Sequence, residues 1–308
     1  MVKPHLPRSQ PARAALLMLG STLLFALMVI AIRLASDTLH TFEVAFFRNF
    51  FGMLVALPLL LRSGRGIGFL KTDQFPRYLF RCFVGVVSMF CGFWAIGHLP
   101  LAQAVSLSYS TPIFVTIAAV FILHEQVRAR RWTAVALGFV GVLVILRPWS
   151  SAFSAGMLVA VAAAVLSGIV SIQIKLLAKV EPADRIVIWT TLLWVPMSLL
   201  PALWVWQWPS GITWLWVVAT GIFGTGGHML WTRALKLGEV SALTPISFMQ
   251  LPVVVLLGWL LFDEGIDRWT LAGASIILAA NAYIAHREAR LARKAATHAP
   301  VEAAKPGE

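Results

Sequence analysis

Charge is scarce in this chain: Asp, Glu, Lys and Arg make up 12% of its 308 residues, about half the share usual for a water-soluble domain. Apolar residues make up 59%, more hydrocarbon than a soluble fold can hide. Cysteine is nearly missing. Cys82 and Cys91 lie nine residues apart in one predicted helix, which provides neither a disulfide framework nor a metal-ligand spacing, so packing is the role expected of both. No phosphate-cradling Gly-x-x-x-x-Gly-Lys-Ser/Thr loop occurs. Lys71-Thr72 offers only its last pair and Leu70 stands where glycine is needed, which excludes an ATP-driven pump for the chain alone. Clustered histidines and acids at one depth are also wanting: His98, His124 and His228 belong to different helix ends or loops, against an intramembrane enzyme. No metal site and no cofactor is expected.

What remains is long apolar runs. A helix rising 1.5 Å per residue needs about 20 apolar residues to cross a hydrocarbon core of about 30 Å. Ten spans are predicted: Ala14 to Ile32, Phe42 to Leu61, Tyr78 to Ile96, Leu101 to Leu123, Trp132 to Leu146, Ser154 to Leu176, Ile186 to Trp206, Ile212 to Leu230, Val240 to Phe262 and Trp269 to Ala285. Lys3, Arg8 and Arg13 precede the first, as in a signal peptide, but that stretch is too long and lacks a small-x-small cleavage site, so it reads as a retained span. The tail after His286 is charged, Ala-rich and without periodicity, and is expected to be disordered.

The distribution of positive charge tests the count, because a missed or extra span would scramble its alternation between loops. The net charge is +12 and the pI near 10.7, yet no single basic face exists for nucleic acid to track. With ten spans, 21 of the 25 Lys and Arg fall on the side of the N-terminus; Arg33, Arg147 and Arg268 fall on the other, and Arg48 lies within a span. Both termini are therefore expected to be cytoplasmic. Trp204, Trp206, Trp208, Trp214 and Trp216 bracket the loop after span seven, where indoles settle at headgroup level.

Two stretches, Leu99 to Trp132 and Gly238 to Trp269, repeat one chemical pattern. Each has a proline within a span, a glutamate just after its end and then Arg-Trp-Thr: Pro112 matches Pro252, Glu125 matches Glu264 and Trp132 matches Trp269, at offsets of 140, 139 and 137. Each half then holds five spans, an odd number, so the second half enters the membrane from the opposite face. Inverted repeats of this kind have two arrangements of similar energy, and exchanging them opens each side in turn. The predicted fold is an all-α membrane protein of ten transmembrane helices in two inverted five-helix repeats. Its divisions are an N-terminal tail at 1–13, repeats at 14–147 and 148–286, and a C-terminal tail at 287–308.

These residues resemble the drug/metabolite transporter superfamily, specifically its ten-helix branch with two EamA-type repeats, over about residues 14 to 286. The resemblance rests on the stretch from His40 to Asn49, Leu99-Pro-Leu-Ala-Gln-Ala, Pro112 with Glu125, Gly224 to His228 with Arg233-Ala-Leu, and Leu251-Pro252 through Glu264 to Gly273. It implies a secondary transporter in a bacterial inner membrane, carrying a small organic metabolite by alternating access, with a cavity lined by both repeats. The solute would be amino-acid-like or cofactor-like, in the class of riboflavin or S-adenosylmethionine. Export of a metabolite or metallophore-like compound, or passive conduction through a channel, stand as alternatives. Proton or sodium coupling is compatible with it.

Candidate site residues fall in three groups. Span four carries the polar run Gln103, Ser106, Ser108, Tyr109, Ser110, Thr111 and Pro112, and span nine repeats it with Thr244, Pro245, Ser247, Gln250 and Pro252. A mid-span proline frees a carbonyl, tolerated where hydroxyls, water or a cavity satisfy it; hydroxyl-mediated packing with a structural kink in the helix is the competing account. Arg48 lies roughly 9 Å inside the end of span two, either as a substrate contact or as a structural arginine held by Glu43. Glu125, Glu264 and His228 are coupling candidates; solvated helix ends, and close glycine-mediated helix contact around His228, are their plainer readings.

Overall fold

A computed structural model describes residues 11–62, 70–123, 129–238, 243 and 246–297. Among these it contains eleven helices and no strand: α1 (Pro11–Ser36), α2 (Thr41–Arg62), α3 (Phe75–His98), α4 (Leu101–Ser108), α5 (Thr111–Leu123), α6 (Ala129–Leu146), α7 (Ala155–Leu177), α8 (Ala183–Ala202), α9 (Thr213–Leu237), α10 (Gln250–Phe262) and α11 (Arg268–Thr297). Helices α4 and α5 are two pieces of the fourth span, and α10 is the later piece of the ninth. The chain is thus a bundle of ten transmembrane helices. Five spans among the described residues meet length and hydropathy criteria unaided, Pro11–Ser36, Phe75–His98, Leu101–Leu123, Ala155–Leu177 and Arg185–Ala202. Large apolar side chains such as Leu16, Phe80, Phe121 and Leu260 are well exposed, which is what a surface solvated by lipid requires.

Helix packing obeys the inverted repeat. Pairing the first five spans with the last five makes α1 equivalent to α7, α2 to α8, α3 to α9, α4 and α5 to the ninth span, and α6 to α11. The packed pairs then come as partners: α1 on α9 with α7 on α3, α2 on α9 with α8 on α3, α5 on α7 with α10 on α1. Three further pairs, α2 on α8, α4 on α10 and α6 on α11, map onto themselves, so the pseudo-two-fold axis runs through them. In the α6–α11 seam, a Cβ placed on Gly141 would lie 2.8 Å from the Gly273 carbonyl oxygen, and one on Gly273 2.6 Å from the Gly141 carbonyl oxygen. Only glycine permits that approach, as small residues do at helix crossings in lipid.

The ends of the bundle differ from the sequence reading in three places. Helix α9 runs seven residues past Leu230, to Leu237. Helix α11 continues to Thr297, beyond His286 where a disordered tail was expected, because Ala, Arg, Glu and Lys favour helix whether or not an apolar stripe accompanies them. The tryptophans also divide. Trp204 and Trp208 are largely exposed as interfacial indoles, whereas Trp206 and Trp216 pack into an aromatic cluster with Phe46, Phe47, Phe50 and Phe51. That cluster closes the end of the bundle opposite the chain termini, here termed the distal end.

Candidate functional site

The fourth span is broken rather than bent. Helix α4 stops at Ser108 and α5 starts at Thr111, so Pro112 sits in a first turn, where its missing N–H costs no intrahelical bond. This corrects the expectation of a proline kink within a continuous helix. The carbonyls freed at the break are satisfied locally. The Ser108 hydroxyl donates to the Val105 carbonyl (2.7 Å), Ser110 to Leu107 (2.6 Å) and Thr111 to Ser108 (2.8 Å), while the Asn281 amide donates to the Tyr109 carbonyl at 2.7 Å. Helix α10 likewise places Pro252 in its first turn. The two breaks meet on the axis: the Tyr109 hydroxyl donates to the Ser247 carbonyl at 3.1 Å, stands 3.5 Å from Gln250 Oε1, and its ring meets Phe248 edge-on.

A cavity of about 390 Å³ lies beside the break, in the middle of the bundle. Its walls come from both halves: Met28 and Arg48, Ser88 and Met89, Ser108 and Thr111 from the first, Ser167, Ser171 and Trp194 from the second. A larger groove of about 640 Å³ runs between α10 and α11, lined mostly by apolar side chains such as Pro252, Val255, Trp259 and Leu278, with Glu264 and Ser275 as its polar members. Glu264 is already paired with Arg33 and the groove draws on fewer polar side chains than the central cavity, which is the candidate site.

Among the described residues Arg48 is its one charged wall residue. Glu43, considered as its partner, is engaged elsewhere: fully buried at the start of α2, it accepts the His40 N–H at 3.0 Å and the Gln207 N–H. A glutamate at N3 reaching back to the N-cap amide is half of a capping box, and His40-x-x-Glu43 is the sequence signal for it. Arg48 instead lies over the Trp194 ring, 5.7 Å from its centre, and Nη1 donates to Asn49 Oδ1 at 3.0 Å. Asn49 is held in turn through its amide on Ser198 Oγ at 3.2 Å, and Ser198 donates back to the Trp194 carbonyl at 2.6 Å. Helix α9 passes close behind, where a Cβ on Gly224 would stand 3.3 Å from Arg48 Nε.

The remaining candidates are dispersed. Gln103 and Ser106 are buried, and Gln103 Oε1 and Ser106 Oγ have no hydrogen-bond partner among the described residues; two residues from Ser108 on a helix, Ser106 points away from the cavity. Glu264 sits at the distal end. Asp263, in the left-handed conformation with φ 54°, ends α10 and turns the chain so that the Glu264 N–H reaches the Gly258 carbonyl. The Glu264 carboxylate then pairs with Arg33 Nη2 at 2.6 Å and accepts the Leu101 N–H at 2.7 Å. Arg33 also donates to the carbonyls of Ile96 and Leu99. His228 is exposed on α9 with its ring 5.0 Å from Phe25, and it is not among the walls of the cavity. Glu125, Thr244 and Pro245 lie outside the described residues.

Sequence reasoning missed Ser88, Ser167, Ser171 and Trp194. Ser88 donates to the Ala163 carbonyl at 2.9 Å and lies 2.8 Å from Ser167 Oγ, tying α3 to α7 at the cavity wall. Each sits in a largely apolar stretch, and its only signal was depth: all four lie well inside their spans.

A polytopic bundle of inverted five-helix repeats, with a cavity between them walled by residues of both, is the architecture of a membrane transporter. The profile of the EamA-like transporter family matches this chain twice, over residues 12–147 and 154–285, and the chain belongs to that family. It is 31% identical over 291 residues to a riboflavin transporter of Vibrio cholerae, covering 93% of this chain and 97% of that one. An S-adenosylmethionine uptake transporter of Rickettsia felis is 29% identical over 250 residues, 81% of this chain and 84% of the other. A pseudopaline exporter of Pseudomonas aeruginosa is 28% identical over 260 residues, 83% and 90%. One solved crystal structure superposes with a TM-score of 0.61 at 22% identity, covering 90% of this chain and 99% of that one, and it shares the fold. The protein is a transporter of small-molecule metabolites in the drug/metabolite superfamily, not an enzyme.

Proposed function

We propose that the protein is a secondary active transporter of a bacterial inner membrane, with both termini cytoplasmic, that moves a small organic metabolite by alternating access. The observation that carries this is the mid-depth cavity, walled by polar side chains from both inverted halves. Arg48, Ser88, Ser108, Thr111, Ser167, Ser171 and Trp194 contact the solute. Tyr109 with Ser247 and Gln250, where the two broken spans cross, is the joint about which the halves tip. The riboflavin and S-adenosylmethionine transporters among the relatives favour a solute of cofactor size, and uptake as its direction. The pseudopaline exporter favours the second reading, export of a metallophore-like compound by the same cycle.

Purified protein in lipid vesicles, with labelled riboflavin or S-adenosylmethionine and imposed proton or sodium gradients, tests the mechanism. Saturable flux, accelerated by unlabelled solute on the far side, is expected of a carrier. Flux linear in concentration and without counter-exchange identifies a channel instead. Tags on the two ends found on opposite faces of the membrane would refute the even number of spans.

A further inference from the structure

We infer that the central cavity selects an anionic solute, one bearing a carboxylate or phosphate together with hydroxyl or N–H donors a few ångströms away. This deepens the transporter reading and rests on it. Among the described residues Arg48 meets no carboxylate: its polar and ring contacts are Asn49 on Nη1 and the face of Trp194. No acidic residue is among the described cavity walls. Asn49 and Ser198 fix the guanidinium by one edge. The Nε and Nη2 edge lies against Gly224, so tightly that a Cβ there would come within 3.3 and 3.4 Å of the two nitrogens, and what Arg48 brings to the cavity is its positive charge rather than a free fork. A guanidinium on a cavity wall attracts a carboxylate or phosphate through charge-assisted hydrogen bonding.

The hydroxyls say what the rest of the solute must be. Ser108, Thr111 and Ser171 each donate their one proton to a backbone carbonyl, of Val105, Ser108 and Ser167 respectively. Their oxygens face the cavity as acceptors, and acceptors call for donors on the solute. A guanidinium and hydroxyl acceptors in the same walls match a hydroxylated or amino-bearing anion. They disfavour a cation that carries no anionic group.

Two matched pairs test this on the purified protein: gluconate against glucitol, and riboflavin 5′-phosphate against riboflavin, with choline, which has no anionic group, as the cation. Binding is read as the ligand-dependent rise in unfolding temperature. In at least one pair the anion is expected to bind about tenfold or more tightly than its neutral partner, and Arg48→Gln to abolish the difference. Should Arg48→Gln fail to fold, Arg48→Lys retains the charge, and the preference for the anion is expected to persist. Equal binding within both pairs, preference for the neutral member or for the cation, binding by no member of either pair, or a preference that survives Arg48→Gln overturns the inference. The transport reading fails separately, if vesicles show no saturable flux of any solute.

Discussion

A guanidinium at this depth costs about 2.5–3.5 kcal/mol on insertion scales, and Arg48 has to offset that within the bundle. The face of Trp194 contributes about 0.5–2 kcal/mol and the hydrogen bond to Asn49 about 1.5–3 kcal/mol; both contacts are present. The two sides nearly cancel, which separates a structural from a functional role. Arg48→Leu is expected to leave the unfolding temperature of the purified protein within a few degrees of wild type, while lowering vesicle transport roughly tenfold or more. A transport rate unchanged in the variant would assign Arg48 to the scaffold. Gly273 gives the converse case. Its Cβ would fall 2.5 Å from Ile145 Cγ1, so Gly273→Val is expected to destabilise by about 1–3 kcal/mol through overpacking, seen as a lowered thermal midpoint. Arg48 was legible in the sequence because a charge inside an apolar run is expensive. The cavity serines were not, because a hydroxyl in a lipid-length helix can discharge its hydrogen-bonding on its own backbone and leaves no trace of which way it faces.

At the scale of the helix, the break in the fourth span depends on its acceptors being satisfied more than on its proline. Pro112 and Pro252 occupy first turns, so replacing both by alanine removes no strain and restores the option of a continuous helix. The Pro112→Ala, Pro252→Ala double variant is expected to insert and unfold like wild type while transport declines; undiminished transport would show that the prolines are dispensable to the cycle. Asn281 is the more consequential residue for stability. Asn281→Leu leaves the Tyr109 carbonyl without its donor, at a cost of about 1–3 kcal/mol, measurable by denaturation in detergent. The prolines and the polar run were readable as an interruption. Asn281 was not, because its partner stands 172 residues away and nothing local marks an asparagine as the donor to a distant break.

For the molecule as a whole, the distal end is held shut by Arg33 with Glu264, by the Arg147–Asp267 pair at 3.0 Å, and by the aromatic cluster around Trp206. Glu264→Gln is expected to loosen this closure. With Cys82 and Cys91 replaced by alanine and a single cysteine introduced at Ile96, labelling by a membrane-impermeant maleimide should accelerate severalfold in the Glu264→Gln background; identical labelling rates would exclude Glu264 from the closure. The ten spans and their inversion were legible from hydropathy, basic-residue alternation and the Pro–Glu–Trp repeat, since these follow from the solvent. Which helices touch across the axis was not, because lipid-facing and partner-facing residues are equally apolar and only small residues such as Gly141 mark the difference.

The seam between α6 and α11 maps onto itself under the pseudo-two-fold operation. In the proposed cycle that seam would exchange its partners' roles and end as it began, and together with the Tyr109 joint it would serve as the fulcrum while α1, α7 and their neighbours swing. Damage to a fulcrum weakens both poses alike. Lesions at Gly141 or Gly273 will therefore reduce how much carrier survives without tilting the balance between inward and outward forms, whereas lesions in the swinging pairs will tilt it.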